Sequence, residues 1–222
     1  MTEPREIVRY APRTRVNHWL VALGFVLAAL SGLALFHPAL FWLSGLFGGG
    51  PWTRILHPFI GLFMAAAFLL LAFKVGRYNR MQPSDWTWLR RAGDVVANRE
   101  ENLPEVGRYN AGQKLLFFVI VACLLVLVLS GLVIWREYFS AAFPIGAIRL
   151  AAVLHAIAAT VLICAIVVHV YAAIWVKGSL RAMTRGTVTP GWAWKHHRAW
   201  FREVAEGERK WGGLVEKLNI QL

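Results

Sequence analysis

Two histidines, His155 and His169, lie in a stretch from Leu150 to Val176 that carries no charged side chain. At about 1.5 Å per helical residue, this stretch is roughly 40 Å long, enough to cross a ~30 Å hydrocarbon layer. The histidines are fourteen residues apart, so at about 100° per residue they face within ~40° of one side, about 21 Å apart in depth. Because an imidazole in a lipid-spanning helix is costly, it marks a functional site by default. The pattern predicts two metal centres at two depths, or else two histidines that only pack helices together.

The composition is typical of a membrane protein. Hydrophobic residues make up 58% of the chain and charged residues 16%, against roughly 25% charged in soluble domains. A net charge of +12 would suggest nucleic acid as the partner of a soluble protein, but the positions of the basic residues favour membrane lipid instead and give no sign of nucleic acid. Cys123 and Cys164 both lie in apolar runs, where they are expected to be small buried hydrophobic residues.

Hydropathy predicts an all-α membrane protein, a bundle of four transmembrane helices in a single domain that comprises residues 1–222. A polar segment that separates the second and third helices contains a possible short amphipathic helix near residues 86–98, and a basic, aromatic tail covers 177–222. The predicted helices cover about residues 16–36, 55–75, 115–135 and 149–176.

The Lys and Arg residues are distributed asymmetrically between the two sides of such a bundle. Four spans place both termini on one side, which holds 21 of the 24 basic residues, whereas only Arg54, Arg136 and Arg149 fall on the other. The positive-inside rule therefore places both termini in the cytoplasm, which is expected for a multi-pass protein of the bacterial inner membrane.

This topology provides an independent test of the histidines. The first helix enters from the cytoplasm, so His18 lies at the depth of His169, near the inner leaflet. The second helix enters from outside, so His57 lies at the depth of His155, near the outer leaflet. The depths agree although the histidines did not enter the topology argument, which favours two metal centres over helix packing alone.

Two neutral imidazoles that face each other form the axial pair of a b-type haem. Zinc would require three or four protein ligands, and no Asp or Glu lies within the spans. The absence of a CxxCH motif excludes covalent c-type attachment. A motif, Leu-Ser-Gly-Leu, occurs at residues 30–33 and again at 129–132. It predicts either small residues beside a haem, with Gly32 at the outer one, or ordinary small-residue helix packing.

Other polar residues give weaker functional predictions than the membrane histidines. Asn110 and Gln113 precede the third helix at inner-leaflet depth, where their amides could bind a quinone carbonyl; the alternative is that Asn110 is only a helix N-cap. His37 is expected in an interfacial turn. The run from Lys195 to His197 is expected on a solvated or partner-facing surface.

Three segments, residues 54–59 (RILHPF), 109–114 (YNAGQK) and 175–179 (WVKGS), resemble those of the cytochrome b556 (gamma) subunits of respiratory, membrane-bound formate dehydrogenases. The resemblance extends over nearly the whole chain, although residues 211–222 cannot be matched. It implies two b haems, the inner one ligated by His18 and His169 and the outer one by His57 and His155. It also implies a quinone site that includes Asn110, Gln113 and the region of His169.

The resemblance further implies a function in electron transfer. Formate would be oxidised on a molybdenum or tungsten catalytic subunit, and an iron–sulfur subunit would pass the electrons to the outer haem, then the inner haem, then menaquinone or ubiquinone at the cytoplasmic side. The alternative within this class is the cytochrome b subunit of a Ni-Fe hydrogenase or another molybdopterin oxidoreductase. The alternative from another class is a haem-free transporter, against which stand the lack of intramembrane carboxylates and of paired broken helices.

Overall fold

The computed structural model describes residues 6–97 and 99–207. Helices make up most of this part of the chain, and they are joined by loops and by one pair of two-residue strands. In chain order the elements are β1 (Ile7–Val8), α1 (Pro12–Phe36), α2 (Gly50–Val75), α3 (Pro83–Arg90), α4 (Ala92–Val96), α5 (Ala111–Ile134), α6 (Ile145–Trp175), α7 (Ser179–Thr184), β2 (Thr187–Val188) and α8 (Pro190–His196), with 3₁₀ helices at Pro38–Phe47, Gly76–Asn79, Glu100–Asn102 and Ser140–Ala142, and a last helical stretch at 198–207.

Four of these helices, α1, α2, α5 and α6, are long and apolar enough to cross a membrane, with mean hydropathies between 2.2 and 3.2. The prediction of an all-α protein with four such helices is therefore confirmed. Each helix begins about four or five residues earlier than predicted. For three of them the reason is a proline, because prolines at the start of α1 and α2, and Pro144 before α6, suit the first helical turn. As a result, Pro58 lies inside α2.

The described chain divides into two compact units. One, the histidine unit, comprises Tyr10–Gly76 and Leu116–Lys177. It contains α1, α2, α6 and most of α5. The other, the polar unit, comprises 77–115, 178–207 and the residues up to Arg9. Residues 208–222, which include the part of the tail that the resemblance does not cover, lie outside the described residues.

The core of the histidine unit is an apolar layer from all four long helices. Its buried members are Met64, Phe68, Cys123, Leu124 and Leu162. Leu162 is seven residues from His155 and seven from His169, so this layer lies about 10 Å along the helix from each of them. The burial of Cys123 agrees with its sequence prediction, whereas Cys164 is exposed.

Close contact between α1 and α2 holds the helices of this unit together. A Cβ atom at Gly24 would lie only 2.9 Å from Cβ of Met64, so the glycine permits the approach of the two helices. The side-chain amide of Asn17, the residue before His18, donates a hydrogen bond to the Ala67 carbonyl at 3.1 Å. Large apolar side chains such as Leu70 and Phe73 are exposed on the outer faces, as expected for surfaces that contact lipid.

The polar unit is built around an antiparallel pairing of β1 with β2, in which Ile7 is opposite Val188. Arg9 follows β1 and is buried. Its guanidinium lies 4.2 Å from the centre of the Trp200 ring. Arg9 and Arg108 exchange hydrogen bonds, each donating to the backbone carbonyl of the other.

A buried ion pair joins the first turn of α3 to the start of α5. The Lys114 ammonium contacts the Asp85 carboxylate at 2.7 Å, and both side chains are less than a tenth exposed. The same carboxylate accepts the backbone N–H of Gln82 at 2.7 Å, at the N-terminus of α3. The expected amphipathic helix near residues 86–98 is present as the shorter helices α3 and α4.

Candidate functional site

The structure brings together the four membrane histidines in the pairs that the depth argument predicts. The rings of His18, on α1, and His169, on α6, have centroids 6.4 Å apart and planes at 54°. The rings of His57, on α2, and His155, on α6, have centroids 6.2 Å apart and planes at 69°. We call these the inner pair and the outer pair. All four rings are half-buried.

The spacing within each pair fits a shared metal better than direct contact. A metal–imidazole nitrogen bond is about 2 Å long and a ring nitrogen lies about 1.1 Å from the ring centre, so two axial rings on one metal have centres about 6 Å apart. A direct N–H···N hydrogen bond would bring the centres to about 5 Å. Both observed separations match the first value, so the residues fit the axial ligation of haem.

The type of donor also fits this group. Within residues 6–97 and 99–207, no three His, Cys, Asp or Glu side chains come together as a metal-binding cluster. A structural zinc site requires four protein ligands and a catalytic one three. A planar metal centre that needs only two axial imidazoles is therefore the match for each pair.

The outer histidines have hydroxyl partners that the sequence did not predict. Oγ of Ser31 lies 2.8 Å from Nδ1 of His57. In the same way, Oγ of Ser130 lies 2.9 Å from Nδ1 of His155. Each serine belongs to one of the two Leu-Ser-Gly-Leu motifs, and the repetition of that motif is the sequence signal that could have revealed these contacts.

The glycine of each motif lies against the same histidine. A Cβ atom at Gly32 would lie 3.1 Å from Cε1 of His57, and one at Gly131 would lie 3.4 Å from Cε1 of His155. The sequence allowed two interpretations of this motif: small residues beside the outer site, or general helix packing. The contacts favour the first interpretation. The group that both glycines contact directly is the histidine ring.

His18 of the inner pair lacks such a partner among the described residues. Nδ1 of His18 is enclosed, and no described residue forms a hydrogen bond with it. Its ring instead contacts Trp19 edge to face, with centroids 5.4 Å apart. An enclosed polar nitrogen without a partner is unusual in a folded protein, and it distinguishes His18 from the two outer histidines.

Asn110 and Gln113 form a reciprocal capping box at the start of α5. The Asn110 side-chain oxygen accepts the backbone N–H of Gln113 at 2.8 Å, and the Gln113 side-chain oxygen accepts the backbone N–H of Asn110 at 3.0 Å. Both oxygens therefore stabilise the helix N-terminus. The two NH₂ groups are the donors that remain for a ligand.

The remaining histidines differ in their surroundings. His37 is exposed and accepts the Ala39 backbone N–H at 3.2 Å, in the turn that the sequence predicts. The prediction of a solvated surface is wrong for His197, which is only 2% exposed. Its Nδ1 bonds the Gly107 carbonyl at 2.8 Å. Burial, and next the Arg9 guanidinium, lower the pKa of His197 to about 3.

Comparison with known proteins identifies the family. The model of the prokaryotic cytochrome b561 family matches residues 9–186. The chain is 45% identical over 204 residues to the cytochrome b556(fdo) subunit of formate dehydrogenase from Escherichia coli K12, which covers 92% of this chain and 96% of that protein. It is 40% identical over 210 residues to the cytochrome b556(Fdn) subunit of the nitrate-inducible formate dehydrogenase of the same organism, over 95% and 97% of the two chains.

A relative from another organism carries the same subunit name. The chain is 37% identical over 197 residues to the formate dehydrogenase cytochrome b556 subunit of Haemophilus influenzae, over 89% of this chain and 83% of that protein. The resemblance that the sequence motifs predict is thus confirmed. With four membrane-spanning helices and a family match over most of its length, the chain is a multi-pass membrane cytochrome b that belongs to the prokaryotic cytochrome b561 family, together with these cytochrome b556 subunits.

Proposed function

We propose that this chain is the di-haem cytochrome b subunit that anchors a formate dehydrogenase in the bacterial inner membrane and delivers electrons to quinone. The observation that supports it is the presence of two histidine pairs, each with the spacing of an axial haem pair, in a chain 45% identical to such a subunit. The partners in this proposal are an iron–sulfur subunit and a molybdenum or tungsten catalytic subunit, on which formate is oxidised.

In this proposal His18 and His169 would hold the inner haem iron, and His57 and His155 would hold the outer haem iron. A b haem held by two histidines would supply a one-electron carrier at each pair. The histidines bind as neutral imidazoles, each through a single ring nitrogen. The apolar layer around Met64 and Leu162 keeps water away from the space between the inner and outer histidine pairs.

The direction of transfer follows from the charge distribution. With 21 of 24 basic residues on one side, both termini and the tail 177–222 lie in the cytoplasm, and residues 1–222 act as one di-haem domain. The outer pair then faces the periplasmic donor. The NH₂ groups of Asn110 and Gln113 bind a quinone carbonyl at the cytoplasmic side, where neutral donors are less costly than charges.

The proposal is tested on the complex purified with its partner subunits. Pyridine haemochrome analysis should give two b haems per copy of this chain, and formate should reduce both haems and produce quinol. Reduction by hydrogen but not by formate would instead identify the chain as a hydrogenase subunit. The absence of reducible haem would overturn the proposal in favour of a haem-free transporter.

A further inference from the structure

The hydroxyl groups of Ser31 and Ser130 each have only one proton to donate, and each lies within hydrogen-bond distance of a carbonyl one helical turn back. Ser31 Oγ lies 2.8 Å from the Leu27 carbonyl, and Ser130 Oγ lies 2.5 Å from the Val126 carbonyl. When the hydroxyl proton goes to that carbonyl, the serine oxygen can only accept from another group. The contacts with His57 and His155 are then hydrogen bonds from the ring Nδ1–H to the serine oxygen.

A ring whose Nδ1 faces an already donating hydroxyl carries its proton on that side. Each outer histidine is then left with an unprotonated Nε2, the nitrogen that can bind a metal.

The two serine–histidine contacts are related by an internal repeat. Ser31 precedes His57 by 26 residues, and Ser130 precedes His155 by 25. In both cases the serine lies near the end of one long helix and the histidine near the start of the next. Two similar helical hairpins, α1–α2 and α5–α6, thus contribute equivalent groups to the outer site.

We infer that Ser31 and Ser130 are positioning residues of the outer haem: they fix the tautomer and orientation of both axial histidines, and they lower the reduction potential of that haem. The inference rests on the proposed haem ligation. An acceptor on Nδ1–H makes Nε2 a stronger donor, and a stronger axial donor stabilises the ferric state, which lowers the potential. Nδ1 of His18 at the inner pair has no hydrogen-bond partner among the described residues, so we place the effect at the outer haem.

The test uses the full complex with Ser31→Ala, Ser130→Ala and the double variant. Haems are counted by pyridine haemochrome, both potentials are measured by redox titration, and the ferric low-spin signals are recorded by electron paramagnetic resonance. The outer haem is assigned as the one that His57→Ala removes. Thr160→Ala is the matched control, because Thr160 donates the same kind of bond, to the Ala156 carbonyl at 2.9 Å, without contacting a histidine.

We expect both haems to be retained, with the outer potential and its ferric signal shifted in each serine variant. The potential should move in the positive direction, further in the double variant, while the inner haem and the Thr160→Ala control remain unchanged. Unchanged outer potential and spectrum with haem retained would overturn the inference.

A variant that loses the outer haem is resolved by Ser130→Thr, which keeps the hydroxyl. Retention of the haem at a near-wild-type potential in Ser130→Thr supports the positioning role, whereas its loss there would show that only packing matters and would overturn the role. These outcomes are distinct from a failure of the haem proposal itself, which would appear as fewer than two haems in the wild-type complex.

Discussion

The outer and inner histidine pairs have similar spacing but are built differently. At the outer pair, two repeated hairpins each provide a serine, a glycine and a histidine, and both rings are held by hydrogen bonds. At the inner pair the repeat is broken: the positions that correspond to His18 and His169 in the other hairpins are occupied by Phe117 and Leu71. The protein thus pre-organises its outer pair by hydrogen bonds, whereas Nδ1 of His18 in the inner pair has no such partner among the described residues.

This difference between the two pairs bears on the direction of electron transfer. If the serines make the outer axial ligands stronger donors, the outer haem has the lower potential and electrons move to the inner haem downhill. The proposed flow, from a periplasmic donor towards a cytoplasmic quinone, would then be supported by two hydroxyl groups.

The largest effect is expected from removal of a ligand. His57→Ala or His155→Ala should lower the haem content from two to one and block reduction of the inner haem by formate. His18→Ala or His169→Ala should also leave one haem, but that outer haem should still be reduced by formate, while quinol formation stops. Haem content and formate-driven reduction are measured separately. An inner haem that formate reduces at the wild-type rate in His57→Ala would contradict the proposed order.

A strong loss of quinol formation is expected when the amide donors of Asn110 and Gln113 are removed. In the double variant Asn110→Asp with Gln113→Glu, both capping oxygens remain and suit the helix N-terminus, but the NH₂ groups are lost. Both haems should be present and reducible by formate, with quinol formation impaired. The double alanine variant is the comparison, since it should also lose about 1 kcal/mol of stability from the cap. Normal quinol formation in the acidic variant would show that quinone binds elsewhere.

A smaller, graded effect is expected at the two motif glycines. The Cβ atom of Gly32→Ala would lie 3.1 Å from the His57 ring, closer than ordinary contact, whereas that of Gly131→Ala would lie 3.4 Å from the His155 ring. Gly32→Ala should therefore weaken outer-haem retention more than Gly131→Ala. Gly61→Ala is the control on α2, because no atom lies within 4 Å of its added Cβ. Equal haem loss in all three would mean that the effect is general to glycine in these helices.

The pairing of the histidines could be predicted from sequence because it needs only local information. Helical rise fixes the depth of His155 relative to His169, and the basic residues fix the direction of each helix. The roles of Ser31 and Ser130 could not be predicted in this way. These roles depend on how the neighbouring helices are rotated against each other. Close packing contacts between helices, such as that of Gly24 with Met64, determine that rotation.

The burial of His197 is another feature that the sequence could not predict. A histidine in a basic tail is expected to be solvated, because the local sequence carries no apolar periodicity that would indicate burial. Its burial arises from residues distant in the chain, Arg9 and Gly107, and from the rings of Trp192 and Trp200. In contrast to the membrane histidines, His197 has protein partners for both ring nitrogens, and we therefore do not expect it to bind haem.

The smallest effect on haem, and a distinct effect on stability, is expected for His197→Gln. Haem content should stay at two. Because the pKa of His197 falls to about 3 in the folded protein, against roughly 6.5 in the unfolded chain, only the unfolded state takes up a proton as the pH falls below that value. The free energy of unfolding of the polar unit should therefore decrease from pH 7.5 to pH 5, by on the order of 2 kcal/mol from this group. The thermal transition of the full chain, followed by tryptophan fluorescence, should show a shallower loss of Tm in His197→Gln than in the wild type, although the variant starts from a lower Tm at pH 7.5. Parallel pH profiles would show that His197 does not control this loss.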